Sequence, residues 1–223
     1  MIPSAIPTEA ERKPPHHLPV ACRSPFRANR FIVFSPKAGR RVVIFGIPQF
    51  HLWLRLEADP KFTRICERPL LLNDGKRSRP VDFWVSGPGG GKYILLVMRG
   101  TASSRTTQPF LSAFQSWAAE NGCDVEEVEP LPTSRQQEQW YDNWTLVLQH
   151  LTAFRASVTD NLVSAVRDHV TAPISLGALA KKFPQEDPNH IRTAVFALIH
   201  QGILRFLDLG QERLSDHQEI ERA

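Results

Sequence analysis

Through about residue 130 the apolar positions come mostly in short strand-like runs, and beyond it they recur at helical spacing. Phe31–Phe34 reads as a strand, Ser35–Gly39 as a turn, and Arg41–Phe45 as the returning strand. A helix is predicted from about Pro48 to Ala58. Pro48 suits a first helical position, Phe50, Trp53, Leu54 and Glu57 share a helical spacing, and Asp59-Pro60 ends the run. Strands near 63–72 and 80–86 flank Asn73-Asp74-Gly75, a hairpin signal. Gly87–Gly91 is a loop. Tyr93–Met98 is almost wholly apolar, as a central strand covered on both faces would be. A helix near 108–121 and a short strand near 124–128 complete an α/β unit.

The run Glu129–Thr133 is the expected boundary. Ser134 caps a predicted helix reaching about Arg155, and a second helix reaches about Val170. Ile174–Phe183 is a short amphipathic helix capped by Ser175, and residues 184–188 turn. Asn189–Gln201 carries Ile191, Val195, Leu198 and Ile199 on one side, Gly202 stops it, and Ile203–Leu207 is a strand. Helix, turn, helix, glycine, strand is the order of a winged helix. The fold class predicted is α/β, in three parts. Residues 1–29 form a proline-rich tail that is disordered or docks onto a partner. Residues 30–130 form the α/β core, and 131–223 a helical domain with the winged helix at about 174–210.

Composition narrows the classes. The formal net charge is +4 and the sequence pI about 9.2, which permits a nucleic-acid partner without requiring one. No apolar run approaches the roughly 18–20 residues that span a bilayer, and the N-terminus lacks the apolar core of a secretion signal. The expectation is a cytoplasmic protein with no membrane partner. Cys22, Cys66 and Cys123 are far apart and match no zinc or disulfide pattern. His16 and His17 stand in the tail without further ligands nearby in sequence.

Residues 33–98 together carry a more specific pattern. A strand, a Ser35-Pro-Lys-x-Gly-Arg turn and a second strand lead to a helix ending Leu56-Glu-Ala-Asp-Pro60. Then come Cys66-Glu-Arg-Pro69, Arg79-Pro-Val-Asp-Phe83 and the apolar strand after the glycine loop. With the winged-helix order downstream, this resembles the TnsA family, the endonuclease subunit of heteromeric transposases, over roughly residues 30–210. The resemblance implies a restriction-endonuclease-like core, a mixed sheet flanked by helices, and a C-terminal winged helix. It also implies partners: transposon-end DNA, an integrase-like transposase and an AAA+ ATPase regulator.

Such nucleases hold Mg²⁺ with carboxylates, because hard cations prefer oxygen ligands, and the metal activates water. The family's aspartate falls at Asp82. Its helix glutamate falls at Gln49, and its strand lysine at Met98, with Leu96 where an acid or glutamine belongs. Only Asp82 keeps a catalytic residue type, and loss of one charge-stabilising group commonly costs about 10²–10³ in rate. The reading is therefore a subunit that organises DNA without cutting it and needs no cofactor. Mg²⁺ would bind, at Asp82, only if residual nuclease activity exists. One alternative is an endonuclease that cuts transposon 5′ ends only within the complex. It would use Glu67 as a substitute ligand, because a hairpin centred between Asp74 and Gly75 places Glu67 opposite Asp82. Lys92 stands about 20 Å from the position of Met98 along an extended strand, too far to replace its lysine. Glu57 is expected to face solvent or an arginine.

The densest basic stretch is Arg23, Arg27, Arg30, Lys37, Arg40 and Arg41, which either follows a phosphate backbone or is a solvated face. In the winged helix, Arg192 is the cation nearest the start of the second helix, and Glu186 and Asp187 beside it repel phosphate. Protein docking is the first reading of that module. A free-standing winged-helix DNA-binding regulator is the remaining alternative.

Overall fold

The computed structural model describes residues 16–22, 27–73, 78–96, 114–130 and 133–223. These divide between two compact units, bounded as Met1–Leu56 with Lys61–Leu131 and as Glu57–Pro60 with Pro132–Ala223. Among the described residues no helix is long and apolar enough to cross a membrane.

The first unit opens with the expected hairpin. Strand β1 (Arg30–Ser35) pairs antiparallel with β2 (Arg40–Phe45), from Arg30 opposite Phe45 to Ser35 opposite Arg40. Gly39 takes φ 65°, a left-handed conformation that suits glycine in a tight turn, and its amide donates to the Ser35 carbonyl. Helix α1 (Ile47–Ala58) follows, and Phe31 stacks on Phe50 at 4.4 Å between ring centres. Its apolar side buries Leu52, Trp53, Leu54 and Leu56.

The main sheet is mixed and four-stranded, in the order β3 (Arg64–Glu67), β6 (Phe83–Gly87), β7 (Gly90–Leu96), β8 (Cys123–Val128). The first three strands are antiparallel, and β7 and β8 are parallel. Helical residues 114–120 (α2) lie between β7 and β8 in the chain. Parallel neighbours need such a crossover. Gly87–Gly91 is not the expected loop: Gly87 pairs with Gly90 across a two-residue turn. Strand β7 is interior, and Tyr93, Ile94, Leu95 and Leu96 are buried, as its apolar run predicts. The expected hairpin around Asp74 is also interrupted. Strands β4 (Leu71–Asn73) and β5 (Ser78–Pro80) form their own two-stranded ladder. Between the two ladders Arg68 has φ 45°. Its amide donates to the Asp82 carbonyl and the Val81 amide to that of Leu70.

In the second unit α3 (Arg135–Phe154) begins with a full capping box. The Ser134 hydroxyl accepts from the Gln137 amide, and the Gln137 side chain accepts from the Ser134 amide. A 3-10 turn (Arg155–Ser157) leads to α4 (Asp160–His169), capped by Thr159. Helix α5 (Leu176–Ala180) is shorter than expected, because Ile174–Ser175 is drawn into a strand, β9. Helix α6 (Pro188–His200) is capped by Asp187 and followed by Gly202 at φ 74°. Strands β10 (Leu204–Phe206) and β11 (Glu219–Arg222) complete a three-stranded antiparallel sheet in the order β10-β11-β9. The sequence pattern did not predict β11.

One buried amide organises this unit. Asn143 Nδ2 donates to the carbonyls of Leu209 and Glu212 at 2.6 and 2.7 Å, and its Oδ1 accepts from the Leu214 amide at 2.8 Å. Asn143 has no exposed surface. Asn143→Ala would strand these three backbone groups. A loss of about 2–4 kcal/mol is expected, read as a lower midpoint in denaturant unfolding.

His150 packs edge-on against Phe196 at 5.4 Å. Burial, and then the Arg192 charge, hold its pKa below the usual 6.5. The unfolded chain therefore takes up this proton first. The stability tied to His150 is present above about pH 6.5 and is lost as pH falls below it. The His150→Phe variant should show a shallower decline in unfolding free energy between pH 7 and 5 than the parent.

Candidate functional site

The site is built where β2, the start of α1, the end of β3 and the residues before β6 meet. Gly46 precedes α1 with φ 92°, and its amide donates to the Asn29 carbonyl. This left-handed turn feeds Gln49 into the first turn of the helix. An ideal Cβ on Gly46 would come within 2.8 Å of Gln49 Oε1, so the glycine leaves space for that side chain. Gln49, Glu67 and Asp82 all line one cavity of about 470 Å³, together with Cys22, Val43, Phe45, Arg68, Leu71 and Phe83 among others.

Within that cavity the acids are already engaged. Glu67 is 2% exposed, and both its oxygens are held by Arg40, Nη1 to Oε1 at 2.9 Å and Nη2 to Oε2 at 2.6 Å. The Val43 amide also reaches Oε1 at 3.4 Å, and Arg68 Nη2 lies 3.8 Å from it. Burial works against the Arg40 charge, but the bonded carboxylate outweighs it and raises the Arg40 pKa. Asp82 Oδ2 accepts a hydrogen bond from the Leu96 amide at 2.8 Å. The β6–β7 ladder ends at Phe83 opposite Ile94, so Asp82 extends that strand pairing with its side chain.

The expected pairing of Glu67 with Asp82 is therefore corrected. Glu67 stands opposite Phe83: the β4–β5 ladder, with Leu71 opposite Pro80, is already two residues off that count, and the pairing moves back by one across Arg68. A carboxylate bound at both oxygens by a guanidinium has little left for a cation. Among the described residues no group of three His, Cys, Asp or Glu side chains could hold a metal ion. The side chains present do not fit Mg²⁺: one neutral amide, one neutralised carboxylate, and one carboxylate bonded to an amide beside buried Leu96. Met98 and Arg23 lie outside the described residues.

The remaining expected site residues are scattered. Arg27, Arg30 and Arg41 are exposed, whereas Arg40 is committed to Glu67 and Lys37 Nζ donates to the Leu56 carbonyl at 2.8 Å. Lys92 forms an ion pair with Glu126 on β8 at 2.8 Å. Glu57 does not face solvent: it is fully buried and hydrogen-bonded to His200 Nε2 at 3.0 Å. In the second unit, Arg192 pairs with Asp216. Helix α6 is buried continuously from Thr193 to Ile199. Its accessible residues are mainly in the first turns, Pro188 to His190 and Arg192, where a groove-reading helix makes its contacts, and there Arg192 is engaged by Asp216.

Sequence reasoning missed how residues 16–22 are placed. Where a tail was expected, His16 is 3% exposed, with Nε2 hydrogen-bonded to the Tyr93 hydroxyl at 2.7 Å and its ring edge-on to Trp84 at 5.5 Å. Burial, with Cys123 adding to it, raises the Tyr93 pKa and keeps the phenol neutral. The Val20 amide donates to the Arg68 carbonyl, and Arg40 Nε donates to the His17 carbonyl. Ala21 and Cys22 then form part of the cavity wall. Trp84 and Phe83 are successive residues of β6 and point to opposite faces. The segment thus passes around the edge strand β3 from one face of the sheet to the other. The only advance signal was a histidine pair among prolines.

No family model matches the chain, and no curated protein matches it.

Among the described residues Arg40 and Glu67 form the closest ion pair of the site, at 2.6 Å. Arg40→Ala should destabilise the chain by about 3–5 kcal/mol, because it leaves the buried Glu67 carboxylate without its bidentate partner and with Arg68 no closer than 3.8 Å. The double variant Arg40→Met/Glu67→Leu should recover much of that loss. Urea unfolding of the three proteins decides this.

Proposed function

We propose that the chain is a TnsA-like subunit of a DNA transposition complex that does not itself cut DNA. In this reading the first unit is a restriction-endonuclease-like core, and the second carries a winged helix. The subunit binds transposon-end DNA and assembles with an integrase-like transposase and an AAA+ ATPase regulator. The observation that carries the reading is the engagement of the acids: Arg40 holds Glu67 at both oxygens, and the Leu96 amide holds Asp82. A mixed sheet beside a hairpin and helix supports a nuclease-like ancestry. The α5, α6, β10, β11 order, closed by β9, supports a winged helix. The acidic Glu186 and Asp187 beside the start of α6, and the pairing of Arg192 with Asp216, favour protein docking over groove reading for that module.

Loss of cutting would not be reversed by Gln49→Glu with Met98→Lys. Leu96 is 3% exposed and still offers no oxygen where the family pattern has one. The test co-expresses the chain with a transposase and an ATPase encoded beside it and assays nicking of element-end duplex in Mg²⁺ and in Mn²⁺. The expected outcome is a stable complex whose cutting pattern is the same with Asp82→Ala as without it. Nicking that disappears with Asp82→Ala would sink the proposal, as would absence of any complex.

A further inference from the structure

The strands of the first unit end in two outer edges of opposite charge. The hairpin meets the main sheet at its β3 end, where Arg40 of β2 and the Val43 amide both reach Glu67 of β3. Strand β1 lies on the far side of β2, and among the described residues it pairs with no other strand. At the opposite end β8 pairs only with β7 among the described residues. An edge strand presents unpaired backbone N–H and C=O groups, and these template the addition of another strand.

The β1 edge is basic and apolar. Cross-strand partners share a face, so Arg30, Ile32 and Phe34 lie together, with Arg41 opposite Phe34. Ile32 is 57% exposed and Phe34 38% exposed, and both arginines are exposed. The β8 edge is acidic. Asp124, Glu126 and Glu127 are exposed along it, and Glu120 and Glu129, also exposed, precede and follow it in the chain. Lys92 of β7 pairs with Glu126. Strand alternation puts Asp124 and Glu127 on opposite faces, so each face of this edge carries a further acid. Val125 shares the face of Glu127 and is half-buried. Charge decides which edges can meet. Two β1 edges would set arginines against arginines, and two β8 edges acids against acids, which blocks like pairing. A β1 edge beside a β8 edge instead places Arg30 and Arg41 near Asp124 and Glu127, and Ile32 and Phe34 near Val125.

We propose that copies of this chain associate head to tail, the β1 edge of one pairing with the β8 edge of the next. A contact between two different surfaces leaves one of each free, so association grows with concentration. Each strand contributes six residues, fewer than the roughly 20–30 a side of a stable interface, so the contact is weak and exchanges. The inference goes beyond the transposition reading and needs neither DNA nor another protein.

The test sediments the full chain, before and after nuclease treatment, over about a hundredfold range of concentration at low and high salt. Mass should rise with concentration, and less steeply at high salt. Hydrogen exchange on the same samples should slow in residues 30–35 and 123–128 as the mass rises. Arg30→Glu/Arg41→Glu and Asp124→Lys/Glu127→Lys should each weaken association at least about tenfold. These four side chains are exposed, so each variant should unfold at the parent's midpoint. Mixing the two variants should restore association, because each supplies the edge that the other can pair. A parent that stays monomeric at low salt throughout would overturn the proposal. So would association that survives either reversal, or a mixture no heavier than its separate components. Association seen only before nuclease treatment would overturn it too, since nucleic acid would then bridge the copies. A rise in mass without slower exchange in the two strands would place the contact elsewhere and overturn it as well. Failure to assemble with a transposase would leave all these readings unaffected, so the two proposals fall separately.

Discussion

The first unit depends on one buried ion pair. Arg40 sits at the start of β2 and Glu67 at the end of β3, and the bidentate contact between them joins the hairpin to the edge of the main sheet. Removing two charges from water is expensive, and only good geometry with further hydrogen bonds offsets it. Both conditions are met. The Val43 amide adds to the carboxylate, and Arg40 Nε also takes the His17 carbonyl. The same guanidinium therefore fixes the hairpin, an acidic side chain of the cavity and the segment that crosses the sheet edge. It also decides the chemistry, because an acid satisfied in this way is an anchor rather than a metal ligand.

The regular elements were legible because their signals are local. The Ser35–Gly39 turn and the Ser134 cap each specify a conformation through nearest neighbours and formed where the pattern put them, whereas β7 follows its apolar run but starts three residues earlier, at Gly90. What failed was long-range register. A hairpin count from Asp74 gives the wrong partner for Glu67, since the β4–β5 ladder pairs Leu71 with Pro80 rather than with Ser78, and the shift across the left-handed Arg68, which no sequence signal announces, takes back only one of those two residues. The strand β11 was invisible for a related reason. Glu219–Arg222 has one buried apolar residue, Ile220, and becomes a strand only because β9 and β10 flank it. His16 is similar: its burial is created by Tyr93 and Trp84, far away in the chain.

The candidate site divides along the same line. Sequence alignment by motif found Gln49, Glu67 and Asp82, and these do line one cavity. Their roles were not readable, because a role depends on who else reaches the oxygen atoms. Arg40 was read as one member of a basic stretch, and only its contact with Glu67 separates it from its exposed neighbours Arg30 and Arg41.

In the proposed reading the site has lost its chemistry and kept its shape because different residues maintain the two. Cutting requires oxygen ligands at a few positions, and a change such as a leucine at 96 or a glutamine at 49 removes them at little structural cost. The cavity walls are another matter. Phe83 belongs to the main sheet, and Val43 and Phe45 belong to the hairpin that Arg40 secures. Filling the cavity would mean repacking elements that the fold needs. The Asp82 carboxylate continues the β6–β7 pairing by accepting the Leu96 amide, so it contributes to the sheet itself.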